Sequence, residues 1–479
     1  MISPPEFSLV PLMPMLLLTA SAIGVLLFGT GRRKTPMFLG QLALFGTALA
    51  LFATLGLWGR PGAAFPGALV LDRFTLLIHL ILLAACGITV LFSFRQIGPR
   101  HPAAGEYYAL LLFSTVGMMV LAAGANLLVI FLGLEILSIS LYILAGFFRE
   151  RPEGVEAAMK YFLLGAFSTC FILYGMAFLY GATGTLDLIR LGRSTAGASG
   201  GFFHAGMGLL IIGFSFKIAA APFHFWAPDV YQGAPTSITG FMATATKAAA
   251  FAGLLRVLFV AFQAGEVRQH WIVIFSLLAI ATMVVGNLVA LAQEDVKRLL
   301  AYSSIAHVGY LLIALVSASD DGVRSVVYYL FAYTFMTLGA FGIVGLLARK
   351  EGGRVQHGFG EFAGLGFRNP LLAAAMSLFL LSLTGVPPTA GFMGKFYVFR
   401  AAMESDRIFL AVLGMIFSTI SAYYYLRIIV YMYMREPAEN APVVRLQAAG
   451  TIAVALAAAA TLYLGLFPTP LWSLFGNLL

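Results

Sequence analysis

The sequence predicts an all-α polytopic membrane protein of about 14 transmembrane helices, and it does so through charge content, the length of its apolar runs and the placement of its prolines. Of the 479 residues, 61% are apolar and only 10% charged, against roughly 25% charged in ordinary soluble domains. A soluble globular fold is excluded. Fourteen spans of about 20 residues, each crossing roughly 30 Å of hydrocarbon, consume most of the chain and leave no room for an extramembrane catalytic domain. The surroundings implied are a lipid bilayer and no nucleic acid.

Apolar runs bounded by Gly, Pro and charge predict helices 1 to 7 near 7–29, 37–58, 70–94, 105–123, 126–148, 155–181 and 203–227. Helices 8 to 14 follow near 235–262, 270–293, 296–317, 323–348, 370–400, 406–434 and 446–468. In the first run, Ala20-Ser21-Ala22 imitates a signal-peptide cleavage site. Its leading segment carries Glu6 and no Lys or Arg, and the apolar run continues to Phe28, so it is expected to be a retained span.

Placement of Lys and Arg matters more than the net charge of +9. Loops after odd-numbered helices hold 15 of the 29 basic residues: Arg32, Arg33, Lys34, Arg95, Arg100, Arg149, Arg151, Lys297, Arg298, Arg349, Lys350, Arg354, Arg368, Arg435 and Arg445. The opposite loops hold 8, namely Arg60, Arg73, Arg190, Arg193, Arg268, Arg324, Arg400 and Arg407. The positive-inside rule then places both termini on the non-cytoplasmic side. Lys160, Lys217, Lys247, Arg256, Lys395 and Arg427 remain inside predicted spans.

Three sequence echoes suggest an internal repeat. Gly154-Val155 with Tyr161 resembles Gly322-Val323 with Tyr329, 168 positions on; Pro222 pairs with Pro388 at 166, and Leu255-Arg256 with Leu426-Arg427 at 171. Helices 4–8 and 9–13 thus form two five-helix units, and an odd count makes successive units enter the membrane from opposite sides. That is the inverted repeat of transporters, whose ion sites lie near the midplane on broken helices. The expected divisions are 1–104 (helices 1–3), 105–265 (first repeat), 266–436 (second repeat) and 437–479 (helix 14).

Ionisable groups inside a bilayer cost roughly 2.5 to 3.5 kcal/mol on insertion scales, so they mark protein interiors or hydrated paths. Glu135 lies ten residues into helix 5, Lys217 five residues before Pro222 in helix 7, Lys247 deep in helix 8, and Lys395 after Pro387-Pro388 in helix 12. Lysine is the basic side chain that burial and a neighbouring carboxylate can switch between charged and neutral, whereas arginine stays protonated. The alternative to proton handling is a permanent salt bridge that fixes helix packing. Mid-span prolines free backbone carbonyls that protein or water must satisfy; Pro222, and Pro387-Pro388 with Gly385, Gly391 and Gly394, therefore predict broken helices 7 and 12. His224 and His307 are secondary relay candidates, or hydrogen-bonded packing groups. Glu156 and Lys160, four apart, form an i,i+4 pair at the start of helix 6 or join the relay. Arg256 and Arg427 are expected to snorkel from helix ends, and Tyr423-Tyr424-Tyr425 to pack or anchor at an interface rather than bind a quinone. Cys86 and Cys170, both in apolar runs, offer no disulfide framework, metal site or iron-sulfur ligand set, so electron chemistry is expected in a partner.

The stretch from Pro228-Asp-Val-Tyr-Gln-Gly-Ala-Pro to Met242-Ala-Thr-Ala-Thr-Lys-Ala-Ala-Ala-Phe251 resembles the subunit N family of bacterial NADH-quinone oxidoreductase, respiratory complex I. Gln293-Glu-Asp-Val-Lys-Arg through His307-Val-Gly-Tyr310 resembles a block common to the antiporter-like membrane subunits. Larger antiporter-like paralogues tend to carry His and Ser-Ala-Thr in helix 8. The resemblance spans nearly the whole chain. It implies a proton-translocating membrane-arm subunit of a bacterial inner membrane, beside other membrane-arm subunits including a neighbouring antiporter-like one. It also implies no cofactor in this chain, with NADH, FMN, iron-sulfur clusters and quinone in partner subunits. Carried over by position, Glu135 is the helix 5 glutamate, Lys217 the helix 7 lysine that it modulates, Lys247 the connecting lysine and Lys395 the group near the exit. A stand-alone cation/proton antiporter and a structural membrane-arm scaffold remain the alternatives.

Overall fold

In the computed structural model, residues 8–30, 35–60, 62–65, 67–98, 101–194, 200–351, 354–437, 447–476 and 478 are described. Arg32, Arg33, Lys34, Arg100, Arg445 and Glu6, used above for orientation, lie outside them, as do the side chains of Arg349, Lys350 and Arg354. Helices 1 to 6 are Met13–Gly29, Pro36–Gly56, Arg73–Ile97, Ala104–Ala123, Leu127–Ala145 and Pro152–Thr183. Helix 7 comes in two pieces, Gly201–Ile218 and Trp226–Gly233, and helix 8 is Thr236–Ala261. Helices 9 to 11 are Gly265–Leu291, Val296–Val316 and Asp320–Leu347; helix 12 is again two pieces, Pro370–Thr384 and Ala390–Glu404; helices 13 and 14 are Ile408–Met434 and Ala448–Leu466. Among the described residues, thirteen helices are long and apolar enough to cross a membrane on their own, and broken helix 12 makes the fourteenth crossing. Two short antiparallel hairpins, Gly62–Phe65 with Leu69–Leu71 and Arg349–Glu351 with Arg354–Gln356, sit in loops.

Starts and stops follow local chemistry. Asp72, Asn126, Asp295, Ser319 and Asn369 each accept a backbone N–H of the first turn, satisfying donors that no preceding turn can reach. Pro36, Pro152 and Pro370 occupy first helical positions, where the missing N–H costs nothing.

Burial sorts the bundle. The apolar windows of helices 8 and 10 are 94% buried, of helix 11 89% and of helix 3 83%, against 33% in helices 1, 6 and 13. Three of the four central helices carry buried ionisable side chains, His79 in helix 3, Lys247 and Arg256 in helix 8, and Lys297 and His307 in helix 10. The outer helices expose large apolar side chains such as Phe52, Phe167 and Phe409, as a lipid- or partner-facing surface requires.

Candidate functional site: a buried lysine axis

Both breaks prepare the site. At the first, Ala219 takes a left-handed conformation (φ 59°), and the Trp226 indole N–H donates across the gap to the Phe216 carbonyl at 3.0 Å. Helix 9 completes the satisfaction, its Thr282 hydroxyl accepting the Ala221 N–H at 2.9 Å. At the second, Gly385 supplies φ +92°, and Gly391 packs so closely on Ser382 that a Cβ would lie 1.8 Å from the Ser382 carbonyl oxygen. The Ala221-Pro222 and Pro387-Pro388 bonds are both cis.

Lys217 closes the first half of helix 7, where the carbonyl end of the helix favours a cation. Its Nζ donates to Ser138 Oγ at 2.9 Å and lies 5.8 Å from the Tyr142 ring centroid. Glu135, one turn before Ser138 and half-buried, accepts from Thr169 Oγ1 of helix 6 at 2.7 Å. Lys247 Nζ donates to the Ser304 carbonyl at 2.7 Å and to its hydroxyl, with the Tyr333 ring 5.5 Å away. Lys395 reaches back across the break, donating to the Leu383 and Thr384 carbonyls at 3.0 and 2.8 Å and to Ser418 Oγ at 2.7 Å. All three lysines are 2 to 5% exposed. Among the described residues, none has a carboxylate within 4 Å. Helix packing is therefore not fixed by permanent salt bridges at these lysines.

Helices 10, 11 and 13 fill the space between Lys247 and Lys395 with polar groups. Ser303, next to the Ser304 that holds Lys247, shares a hydrogen bond with the Tyr425 hydroxyl. Tyr425 meets His307 Nε2 at 3.1 Å, and Tyr329 meets His307 Nδ1 at 2.6 Å. The Tyr310 ring lies 4.9 Å from Lys395 Nζ, and its hydroxyl meets Asn287. His307 thus sits in the hydrogen-bonded cluster between the two lysines. His224, in the helix 7 break, leaves Nδ1 buried without a partner and is not joined to the lysines.

At one membrane face a polar vestibule of about 470 Å³ opens among Arg151, Lys160, Asp229, Asp295, Lys297 and His357. Lys160 pairs with Glu156 at 2.8 Å, the i,i+4 contact expected, and with Asp229 at 2.7 Å; Arg298 holds the other Asp229 oxygen at 2.8 Å. Burial, with Lys297 and Arg151 nearby, pushes His357 down to about 3, so its ring is neutral at physiological pH.

The family described as NADH:quinone oxidoreductase/Mrp antiporter, TM, matches residues 124–421. NADH-quinone oxidoreductase subunit N of Trichlorobacter lovleyi is 45% identical over 462 residues, covering 96% of this chain and 94% of that protein. The chain belongs to the NADH-quinone oxidoreductase subunit N family. A chain of respiratory complex I from Thermus thermophilus with bound aureothin superposes on this subunit N fold with a TM-score of 0.83 at 38% identity, covering 96% and 98% of the two chains. A chain of the Mrp complex from a Dietzia species, at 19% identity, has the same fold, with a TM-score of 0.84 and coverage of 98% and 96%.

Within this subunit N fold, two expectations from sequence are corrected. Arg256 does not snorkel: it is 4% exposed and grips both oxygens of Asp72 at 2.9 and 3.0 Å, with further bonds to Thr75 and the Ala122 carbonyl. A carboxylate from the cap of helix 3 makes burial affordable for a guanidinium that water would otherwise hold. Lys297, counted with the loops, is 2% exposed in the first turn of helix 10 and donates to the Gln232 and Ala234 carbonyls at 3.1 and 2.5 Å. Ser304 and Ser418 carry no signal in the sequence, Tyr329 stands out there only as part of the repeat and Tyr425 only as a packing group, because hydroxyls in apolar runs give no functional signal until helices pair. Tyr424 and Tyr425 are buried while Tyr423 is 64% exposed, so the tyrosine run divides between a hydrogen bond to His307, packing and surface.

Proposed function

We propose that this chain is a membrane-arm subunit of a bacterial NADH-quinone oxidoreductase that translocates protons along Glu135, Lys217, Lys247 and Lys395. Redox chemistry on NADH, FMN, iron-sulfur clusters and quinone takes place in partner subunits and supplies the free energy. The observation that carries the reading is that three buried lysines are held by hydroxyls and carbonyls, with no carboxylate in ion-pair range among the described residues. Such contacts serve ammonium and amine alike, since a hydroxyl can accept from one and donate to the other.

Glu135 is the control point. Its side chain is half-buried beside an exposed apolar stripe on helix 5, Leu132, Ile136, Ile139 and Ile143, where a neighbouring membrane subunit can reach it. When Glu135 swings toward Lys217 the proton is held there; when it turns to Thr169, Lys217 releases its proton toward Lys247. Changing a proton affinity a thousandfold takes about 4 kcal/mol, and unit charges 4 Å apart interact by about 4 kcal/mol at an effective dielectric of 20. Moving one carboxylate suffices. Ser215 and Thr246, beside the two lysines in sequence, carry buried hydroxyls without a protein partner, which supports hand-over between Lys217 and Lys247 through water. From Lys247, Ser304, Ser303, Tyr425 and His307 lead toward Lys395. The divisions 105–265 and 266–436 are the two inverted units that meet on this line, supported by breaks 166 positions apart.

The test is proton pumping by the assembled complex in sealed vesicles. Lys217→Ala and Glu135→Ala are expected to leave quinone reduction in uncoupled membranes measurable while lowering the protons moved per electron. Unchanged stoichiometry in fully assembled complex would leave the chain a scaffold.

A further inference from the structure

A second cavity, of about 1060 Å³, opens at the same membrane face as the vestibule but on the other side of Arg151, between the ends of helices 1, 3 and 5 and the start of helix 4. Its walls change character with depth. The mouth carries Arg149 and Arg151 together with Glu106 and Glu150, while Leu26, Leu110, Phe113 and Ile143 line the inner part. From Ala103 at the rim to Phe113, ten residues of helix 4 descend about 15 Å, half of a hydrocarbon core of roughly 30 Å. The cavity therefore spans one leaflet, polar at headgroup level and apolar below it.

The occupant follows from charge and shape. We infer that this cavity holds a zwitterionic glycerophospholipid of the phosphatidylethanolamine type, with one acyl chain along helix 4. Among the described residues, Arg149, Glu106 and Glu150 have no ion-pair partner within 4 Å, and the Arg151 guanidinium lies over the Phe148 ring at 4.9 Å. Two arginines offer bidentate recognition of a phosphate. Two glutamates at the same mouth match an ammonium, which phosphatidylglycerol, with the same single phosphate charge but a neutral glycerol headgroup, cannot offer them. An apolar floor lined by Leu110, Phe113 and Ile143 at leaflet depth matches an acyl chain and not a soluble anion.

The full chain reconstituted in nanodiscs of mixed phosphatidylethanolamine and phosphatidylglycerol tests this with diazirine-bearing acyl-chain probes of each lipid. The ethanolamine probe is expected to label peptides of helices 4 and 5 about tenfold more than the glycerol probe, the equivalent of about 1.4 kcal/mol in affinity. Leu110→Trp, which fills the floor, is expected to abolish that labelling, and Ile143→Trp to do the same if one variant misfolds by circular dichroism. Equal labelling by both probes, stronger labelling by the anionic one, or labelling that persists in well-folded filled variants would overturn the assignment.

Discussion

Asp72 and Arg256 form the most buried ion pair among the described residues. Burial alone raises the Asp72 carboxyl, but the Arg256 guanidinium and the Thr75 hydrogen bonds more than offset it and leave it below the usual carboxylate range. Removing one partner strands the other, so Arg256→Ala is expected to destabilise the chain by on the order of 2 to 4 kcal/mol, reduced from a fully buried pair because Asp72 is 29% exposed. Thermal unfolding in detergent measures it; the double variant Arg256→Met with Asp72→Asn is expected to recover part of the loss, since no uncompensated charge remains. Because the folded Asp72 carboxyl is depressed, this stabilisation is present above the ordinary carboxylate pKa and is lost as pH falls through the folded one. At this scale the sequence was partly legible. Glu135, Lys217, Lys247 and Lys395 stand out because a charge in an apolar run has few explanations. Arg256 and Lys297 were misplaced because a charge near a helix end is cheap to expose, and only tertiary structure shows that Asp72 or the Gln232 carbonyl has come to meet it.

Helices 7 and 12 show why the breaks were legible and what they do. Proline cannot donate and clashes with the preceding turn, so Pro222 and Pro387-Pro388 announce interruption wherever the chain folds. What they could not announce is an asymmetry of use. Lys217 lies at the end of the first half of helix 7, whereas Lys395 belongs to the second half of helix 12 and returns to carbonyls of the first. Seven residues after each proline stand Asp229 and Lys395; opposite charges at corresponding positions put an ion-paired acid in the vestibule and a buried lysine in the interior. Helix 8 carries π-helical turns at Met242–Thr246 and Val257–Ala261, immediately before Lys247 and after Arg256. Such turns are frequent at functional sites, and no residue pattern signals them. Gly385 tests the break itself. An alanine there is forced to φ +92° with its Cβ 3.0 Å from Lys395 Cδ, so Gly385→Ala is expected to cost about 1 to 2 kcal/mol of stability and to lower proton translocation by displacing Lys395. Gly24→Ala, whose Cβ meets nothing within 4 Å, is expected to leave both unchanged within about 0.5 kcal/mol.

An even number of crossings puts both ends of the chain on one side, and charge decides which side. With Lys297 moved from the loops into helix 10, the loops after odd-numbered helices still hold 14 basic residues against 8 opposite. The structure adds that Arg151, Arg298 and the vestibule lie on that richer face, as do Arg149 and the leaflet-deep cavity. Orientation therefore determines whether the vestibule faces the compartment from which a respiratory pump draws protons. Both termini are expected on the non-cytoplasmic side and the vestibule on the cytoplasmic side. Fusing alkaline phosphatase to the C-terminus checks this, because that enzyme requires the oxidising side to form its disulfides: the fusion is expected to be active, and the same reporter inserted after Arg149 inactive. A single cysteine at Glu156, 65% exposed beside the vestibule, is expected to react with a membrane-impermeant maleimide only in inverted vesicles. Activity of the loop fusion, or labelling of that cysteine in intact cells, would reverse the orientation and with it the direction proposed for proton movement along Glu135, Lys217, Lys247 and Lys395.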